Sequence, residues 1–394
     1  MRAVLFCHSI RSDWNHGNAH FLRGCATELI ARGNAVTIYE PESGWSASNL
    51  EAEHGPEALE RWRIAYPLIE SNLYKETELN LDAALAGADL VIVHEWNSHS
   101  LVAKIGEHRR RAGRYHLLFH DTHHRAITDR AAMAEYRLEN YDGVLAFGRI
   151  LRDLYLEQGW AKRAWVWHEA ADARVFKPAG GEAREGDVVW IGNWGDEERT
   201  AELKEFLFDP VRELGLRARI YGVRYPEAAR QMLRDYGIEY CGWLPNYEAP
   251  KVFGRYVMTV HVPRKPYVRA LPGIPTIRMF EALACGIPLI SAPWEDIDEL
   301  FSAGCEYLVA RDGDEMKRHM RKLLDNPDVR AQLASAGLDA IATRHSCAHR
   351  VDELMSICQE LRNSAANPER ARSAATSERA ASAGRNAASR KYAS

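Results

Sequence analysis

Apolar residues fall in short runs along the first half of the chain: Ala3–Cys7, Ala35–Tyr39, Asp89–His94, Tyr115–His120, Tyr141–Phe147 and Ala164–Trp167. Runs that do not alternate with polar residues mark strands covered on both faces, as in parallel sheets. Segments with apolar residues at i, i+3 and i+4, such as His20–Arg32 and Ile150–Gln158, lie between them and predict helices. The pattern starts again after residue 186, with strands at Asp187–Ile191, Arg217–Tyr221, Ile238–Tyr240 and Ile287–Ile290. Helices are expected at Glu198–Leu214, Glu227–Tyr236, Met316–Leu324, Pro327–Gly337 and Ala348–Leu361. Two successive series of strands alternating with helices predict an α/β chain of two Rossmann-like domains, with parallel sheets facing across a cleft.

The glycine-rich, charged segment Ala179–Gly186 reads as the linker. The expected divisions are therefore 1–177, 187–347, a closing helix at 348–362 and a tail at 363–394. That tail is mostly alanine, serine, asparagine and arginine and is too poor in apolar side chains to fold. Five arginines and Lys391 against Glu369 and Glu378 leave it at +4.

The richest chemistry sits between Val262 and Trp294. Prolines 263, 266, 272 and 275 predict a rigid, irregular loop. Thr276 is then expected to cap a short helix that Gly286 ends. A helix N-terminus fed by such a loop presents free N–H groups and a positive dipole end, an arrangement that holds phosphate. Arg264, Lys265 and Arg269 lie beside it, either as phosphate ligands or as a solvated basic loop. Arg278 and Glu281 share one helix face. The cation suits a diphosphate and the carboxylate a pair of sugar hydroxyls; the plainer alternative is an intrahelical ion pair.

Other candidates stand at strand ends, where open parallel sheets bind ligands. Gly192 and Asn193 end one strand and permit close approach of a phosphate, or simply make a tight turn. Arg224 ends the next and suits a pyrophosphate. Gly242 precedes Trp243, which either stacks on a base or belongs to the core. His120, Asp121, His123 and His124 offer a substrate hydrogen bond or a polar surface loop, and their spacing matches no recognised metal site. Asp296-Ile-Asp298 formally resembles a metal-binding pair, but its flanks predict acids that cap a helix. No metal is expected.

Bulk properties narrow the field. The 394 residues carry a net charge of −4 with both signs interspersed, which argues against nucleic acid as a partner. No apolar run is long enough to span a membrane. Seven cysteines without a C-x-x-C motif suit a reducing cytoplasm. The first strand is followed by no G-x-G-x-x-G, so dinucleotide binding in the dehydrogenase manner is not indicated. Oligomeric state is left open.

Phe280-Glu-Ala-Leu-Ala-Cys-Gly-Ile-Pro-Leu-Ile290 resembles the E-A-x-A-C-G-x-P-V-I segment of group 1 nucleotide-sugar glycosyltransferases, which have the GT-B fold. Thr276-Ile-Arg-Met-Phe-Glu281 is similar to their spore-maturation-protein-like (CgeB/YkvP-like) branch. His168–Pro178 resembles the hallmark that closes the first domain, with Asp172, Phe176 and Pro178 in matching places and His168-Glu169 replacing asparagine-glycine. His120-Asp121 is similar to the H-D ending the corresponding strand. In that family Glu281 is the second member of an E-x7-E pair and binds ribose; the first position is here Gly273.

The resemblance implies a metal-independent, retaining transferase using a nucleoside diphosphate sugar as donor and no cofactor, with an unidentified acceptor near Gly17 and Asn18. With the phosphate chemistry of the basic loop and helix start, the transfer step is expected to fall to His120, Arg264, Lys265 and Arg278. Donor binding falls to Gly192, Asn193, Arg224, Gly242, Trp243, Gly273, Ile274, Thr276 and Glu281. A sugar-nucleotide epimerase, a phosphorylase and a non-catalytic sugar-nucleotide-binding protein remain alternatives.

Overall fold

The computed structural model describes residues 1–195 and 197–366. The first seven strands are β1 (Arg2–Phe6), β2 (Ala35–Pro41), β3 (Ser71–Tyr74), β4 (Leu90–His94), β5 (His116–Asp121), β6 (Gly143–Ala146) and β7 (Ala164–Val166). They form one parallel sheet in the order β3-β2-β1-β4-β5-β6-β7. A second parallel sheet contains β8 (Val188–Ile191), β9 (Ala218–Tyr221), β10 (Glu239–Tyr240), β11 (Met258–His261), β12 (Leu289–Ser291) and β13 (Leu308–Val309). Its order is β10-β9-β8-β11-β12-β13. Strand order reverses at β1/β4 and at β8/β11, and a crevice opens beyond the carboxyl ends of the strands at such points.

Three strands escaped the sequence reading. β3 lies at a sheet edge and has little apolar character. β11 is central and buried, but its Thr259 and His261 break the apolar run; the Thr259 hydroxyl donates to Val189 O at 2.7 Å inside the sheet. β13 is two residues long. The helix expected over Glu198–Leu214 runs unbroken from Thr200 to Leu214, as Thr200–Leu203, a wider turn Lys204–Phe208 and Asp209–Leu214. Pro210 has no N–H for an i−4 carbonyl, and the wider turn ahead of it accommodates the missing donor.

The proline-rich stretch is not wholly irregular, because Lys265–Ala270 forms a short helix. Pro266 stands in its first turn, where an absent N–H costs nothing. This strap belongs by sequence to the second half, yet Tyr267, Leu271 and Ile274 are buried in the core of the first, with Phe119, Ala146 and Phe147. The Tyr267 ring stands edge-on to Phe147 at 6.2 Å. At Gly148 an added Cβ would come within 2.5 Å of Ile274 Cγ1. Each buried side chain of this size contributes about 1.5–3 kcal/mol, more than a solvent-exposed ion pair supplies.

Residues Met1–Val351 form one compact unit. The chain returns to the first sheet before its last helix, since Ala171 N donates to His345 O at 3.0 Å and Cys347 N to Ala171 O at 2.9 Å. That helix, Cys347–Ala366, runs past the expected end at 362. The remainder of the basic tail lies outside the described residues. Among the described residues no helix is long and apolar enough to cross a membrane.

Candidate active site

A cavity of about 210 Å³ opens between the carboxyl ends of the two sheets. The first half supplies Asn15, Gly17 and Asn18 after β1, Thr122 and His123 after β5, Phe147 after β6 and Glu169 after β7. The second supplies Gly192 and Asn193 after β8, Arg224 after β9, His261 to Arg264 around the end of β11, and Thr276 to Arg278. Strand polarity explains the convergence: every loop named leaves a parallel strand at the same end.

The wall is cationic, with four arginines on it: 199, 224, 264 and 278. Arg199 donates to Val262 O at 2.9 Å and to Asn193 O, and its guanidinium lies 4.8 Å from the Trp190 ring centre. Its Nε has no partner among the described residues, and desolvation draws the group down to about 10. Arg264 pairs with Glu198, and Arg278 with Glu281. Beside them, Ile277–Ala284 points its first turn at the cavity. Thr276 does not cap this helix as expected: its side chain makes no capping hydrogen bond, and its backbone sits at φ 65°, ψ 162°. For a β-branched residue that conformation costs about 1–3 kcal/mol, strain of the kind that gathers at ligand-binding turns.

Gly192 and Asn193 are held from below. Asn193 Oδ1 accepts from Val223 N at 2.9 Å, and Gly192 O accepts from the Tyr225 hydroxyl at 2.9 Å. Gly222, at φ +154°, passes so close that an added Cβ would lie 2.0 Å from Gly192 O. Gly222→Ala is therefore expected to displace the Gly192 turn, lowering the melting temperature and weakening ligand binding at the arginine wall. An unchanged melting temperature would show that the turn tolerates the methyl group.

Seven expected site residues lie off the wall. His120 is fully buried in β5, with neither ring nitrogen hydrogen-bonded among the described residues, and burial pushes it down to about 3. Its ring packs against Trp167 at 4.8 Å and His94 at 5.2 Å. Thr122 and His123, two and three residues on, are the ones that reach the cavity. Lys265 turns to Glu202 at 3.6 Å. Trp243 donates to Asp13 Oδ1 at 3.0 Å, tying the halves together instead of standing on the wall, while the Gly242 carbonyl accepts from Gly222 N at 2.8 Å. Gly273 packs on Ile297 and Asp298, and Ile274 is in the first-half core. The reason is common to these last two: the strap buries an apolar face, which places its backbone away from the ligand space.

Glu281 is the largest departure. It is fully buried, with Oε1 accepting from His20 Nδ1 at 2.8 Å and Oε2 from Arg278. His20 Nε2 accepts from Asp172 N at 2.8 Å, which leaves Nδ1 as the donor, and the ring stacks on Phe176 at 3.7 Å. Burial opposes ionisation of Glu281, but Arg278 and the His20 hydrogen bond outweigh it and hold the carboxyl below its usual range. Both oxygens are thus committed to protein groups. The acids of the Asp296-Ile-Asp298 segment also differ from expectation, since no helix follows them. Asp296 accepts from Leu300 N and Phe301 N, and Asp298 accepts from Arg149 N across the cleft at 2.9 Å. Among the described residues no group of three or more His, Cys, Asp or Glu side chains is placed to hold a metal ion.

Arg199 and Glu169 were missed as wall residues, and from the polar cluster after β5 it is His123, not His120, that reaches the wall. Both missed residues follow a predicted strand end within nine residues, so loop position was the available signal.

Two facing parallel sheets, with the site between their carboxyl ends, match solved structures along most of the chain. HepE of Anabaena, solved with UDP and glucose, has 14% identity and a TM-score of 0.64, covering 91% of this chain and 100% of its own. The fold is GT-B. Sucrose-phosphate synthase of Thermosynechococcus elongatus has 13% identity and a TM-score of 0.61, covering 92% and 100%. TarM of S. aureus, solved with UDP, fondaparinux and alpha-GlcNAc-glycerol, has 10% identity and a TM-score of 0.64, covering 91% and 99%. Residues 199–356 match the family model described as glycosyl transferase-like. That match includes three of the four wall arginines beyond its first residue, and with the GT-B fold it supports a glycosyltransferase family. No curated protein sequence matches the chain significantly.

Proposed function

We propose that this GT-B protein transfers a sugar from a nucleoside diphosphate donor to an acceptor held on the first-sheet side of the cleft. The observation that carries the reading is the gathering of four arginines and a strained helix N-terminus on one cavity wall. As the bond from the sugar C1 to the phosphate oxygen breaks, its electron pair passes to the diphosphate. Arg199, Arg224, Arg264, Arg278 and the first N–H groups of Ile277–Ala284 would stabilise that charge without a metal. Binding of UDP by HepE and TarM, which share the fold, supports the donor class.

The finer assignments follow from the same reading. Retention of anomeric configuration and membership of the CgeB-like branch rest on Thr276–Glu281 and the group 1 segment after it. Residues 1–177 would take the acceptor and 187–347 the donor. A cytoplasmic setting accords with seven cysteines that form no disulfide.

The test is calorimetric titration with UDP, GDP, ADP, CDP and TDP, each beside its nucleoside. One diphosphate is expected to bind saturably, its nucleoside at least a hundredfold more weakly, as about 3 kcal/mol of charged hydrogen bonding requires. Saturable binding by none of them overturns the donor reading. NMR of the product from the matching sugar donor then reads the anomeric outcome.

A further inference from the structure

The loop after β7 brings one carboxyl group to the arginine wall. Glu169 is 5% exposed and is the single acidic side chain on the cavity lining among the described residues. No hydrogen bond or ion pair to its carboxyl oxygens occurs among the described residues. The groups that face it are Glu281 and Arg278 from Ile277–Ala284 and Tyr267 from Lys265–Ala270. His123 and Arg264 complete this part of the wall.

An ionised carboxylate so placed would meet no donor among the described residues and little solvent beyond the cavity itself, which is costly, and the Arg278 guanidinium that faces it is already paired with Glu281. Desolvation, with the Glu281 charge adding to it and Arg278 opposing, pushes Glu169 up to about 8. That shift favours the protonated form at neutral pH. An incoming diphosphate adds negative charge beside Arg278 and holds that proton more firmly.

We propose that Glu169 contacts the donor as an uncharged carboxylic acid, giving its O–H as a hydrogen bond to the diphosphate next to Arg278. The inference rests on the donor reading above and adds to it a donor-contacting residue on the opposite half. Its sign is definite: the neutral form, present below the folded pKa, binds the anion, and ionisation above it sets a carboxylate against phosphate.

The experiment titrates the diphosphate that binds, and its nucleoside, into the wild type and E169Q at pH values from about 6.5 to 9.5. For the wild type, Kd for the diphosphate is expected to rise toward tenfold per pH unit once the pH exceeds the Glu169 pKa in the free protein. E169Q keeps an N–H donor and cannot ionise, so its affinity should stay near the low-pH wild-type value throughout. The nucleoside should show no such dependence in either protein. A profile shared by wild type and E169Q, or a large loss of affinity in E169Q at neutral pH, overturns the inference.

A readout independent of folding of the variant is the 13C carboxyl resonance of Glu169 in the wild type. Its midpoint should lie near 8 and move upward on adding the diphosphate. A midpoint in the ordinary carboxyl range overturns the inference alone, whereas failure of every diphosphate to bind overturns it together with the donor reading.

Discussion

Exchange of Glu281 for alanine is expected to destabilise the protein by about 1–3 kcal/mol, the usual cost of leaving a buried donor, here His20 Nδ1–H, without its acceptor. The loss would fall in one place. Arg278 and His20 Nδ1 would both lose their acceptor, and His20 cannot turn to another because Asp172 N holds its Nε2 and Phe176 covers its ring face. Because His20 and Glu281 come from opposite halves, the cleft itself would loosen. The measurement is the urea midpoint, with an unchanged slope if the native state stays compact. Glu281→Gln, which keeps an acceptor but no charge, should fall between wild type and alanine. The same pair makes the protein acid-sensitive. The folded carboxyl titrates below its unfolded value, so its stabilisation is complete above the unfolded pKa and is lost as pH falls through the folded one. An alanine variant with the wild-type midpoint would show that the pair contributes nothing.

Arg264→Ala should act on binding and spare the fold. Arg264 lines the cavity, and its partner Glu198 is 30% exposed by side chain, so releasing that carboxylate into water costs about 0–1 kcal/mol. A charged hydrogen bond to a diphosphate contributes about 1.5–3 kcal/mol, so affinity for the diphosphate should fall roughly ten- to a hundredfold. Nucleoside binding should not change, and the difference should shrink at high salt. Arg278→Ala would lower diphosphate affinity too, but it would also strand Glu281 and move the urea midpoint. Equal losses of diphosphate and nucleoside affinity in Arg264→Ala would remove this residue from the phosphate site.

The two arginines illustrate what could be read in advance. Both were visible as basic residues beside a helix start, because local spacing alone places them there. Glu281 was equally visible as a carboxylate one turn on, yet whether its oxygens were free depended on His20, 261 residues away in the chain. His120 and His123 show the same division at shorter range. Both belong to one polar cluster at a strand end, and only the point where β5 stops determines that the first is sealed in the core and the other meets the cavity.

The strap and Glu169 make the case most clearly. Four prolines correctly indicated stiff backbone, but Tyr267, Leu271 and Ile274 bury their side chains against residues of the other half, and no local pattern records that destination. Glu169 looked like a mismatch in a resemblance until the loop after β7 met the helix from the opposite side.

By itself the sequence determined the two parallel sheets and the end of each at which polar residues would collect, because strands covered on both faces leave continuous apolar runs and strand direction orders their loops. Only the tertiary structure decided which carboxylate was paired and which was left facing the arginines. A side chain's hydrogen-bond partners and hydration are set by what packs against it in space, and the groups that do so here come from distant parts of the chain.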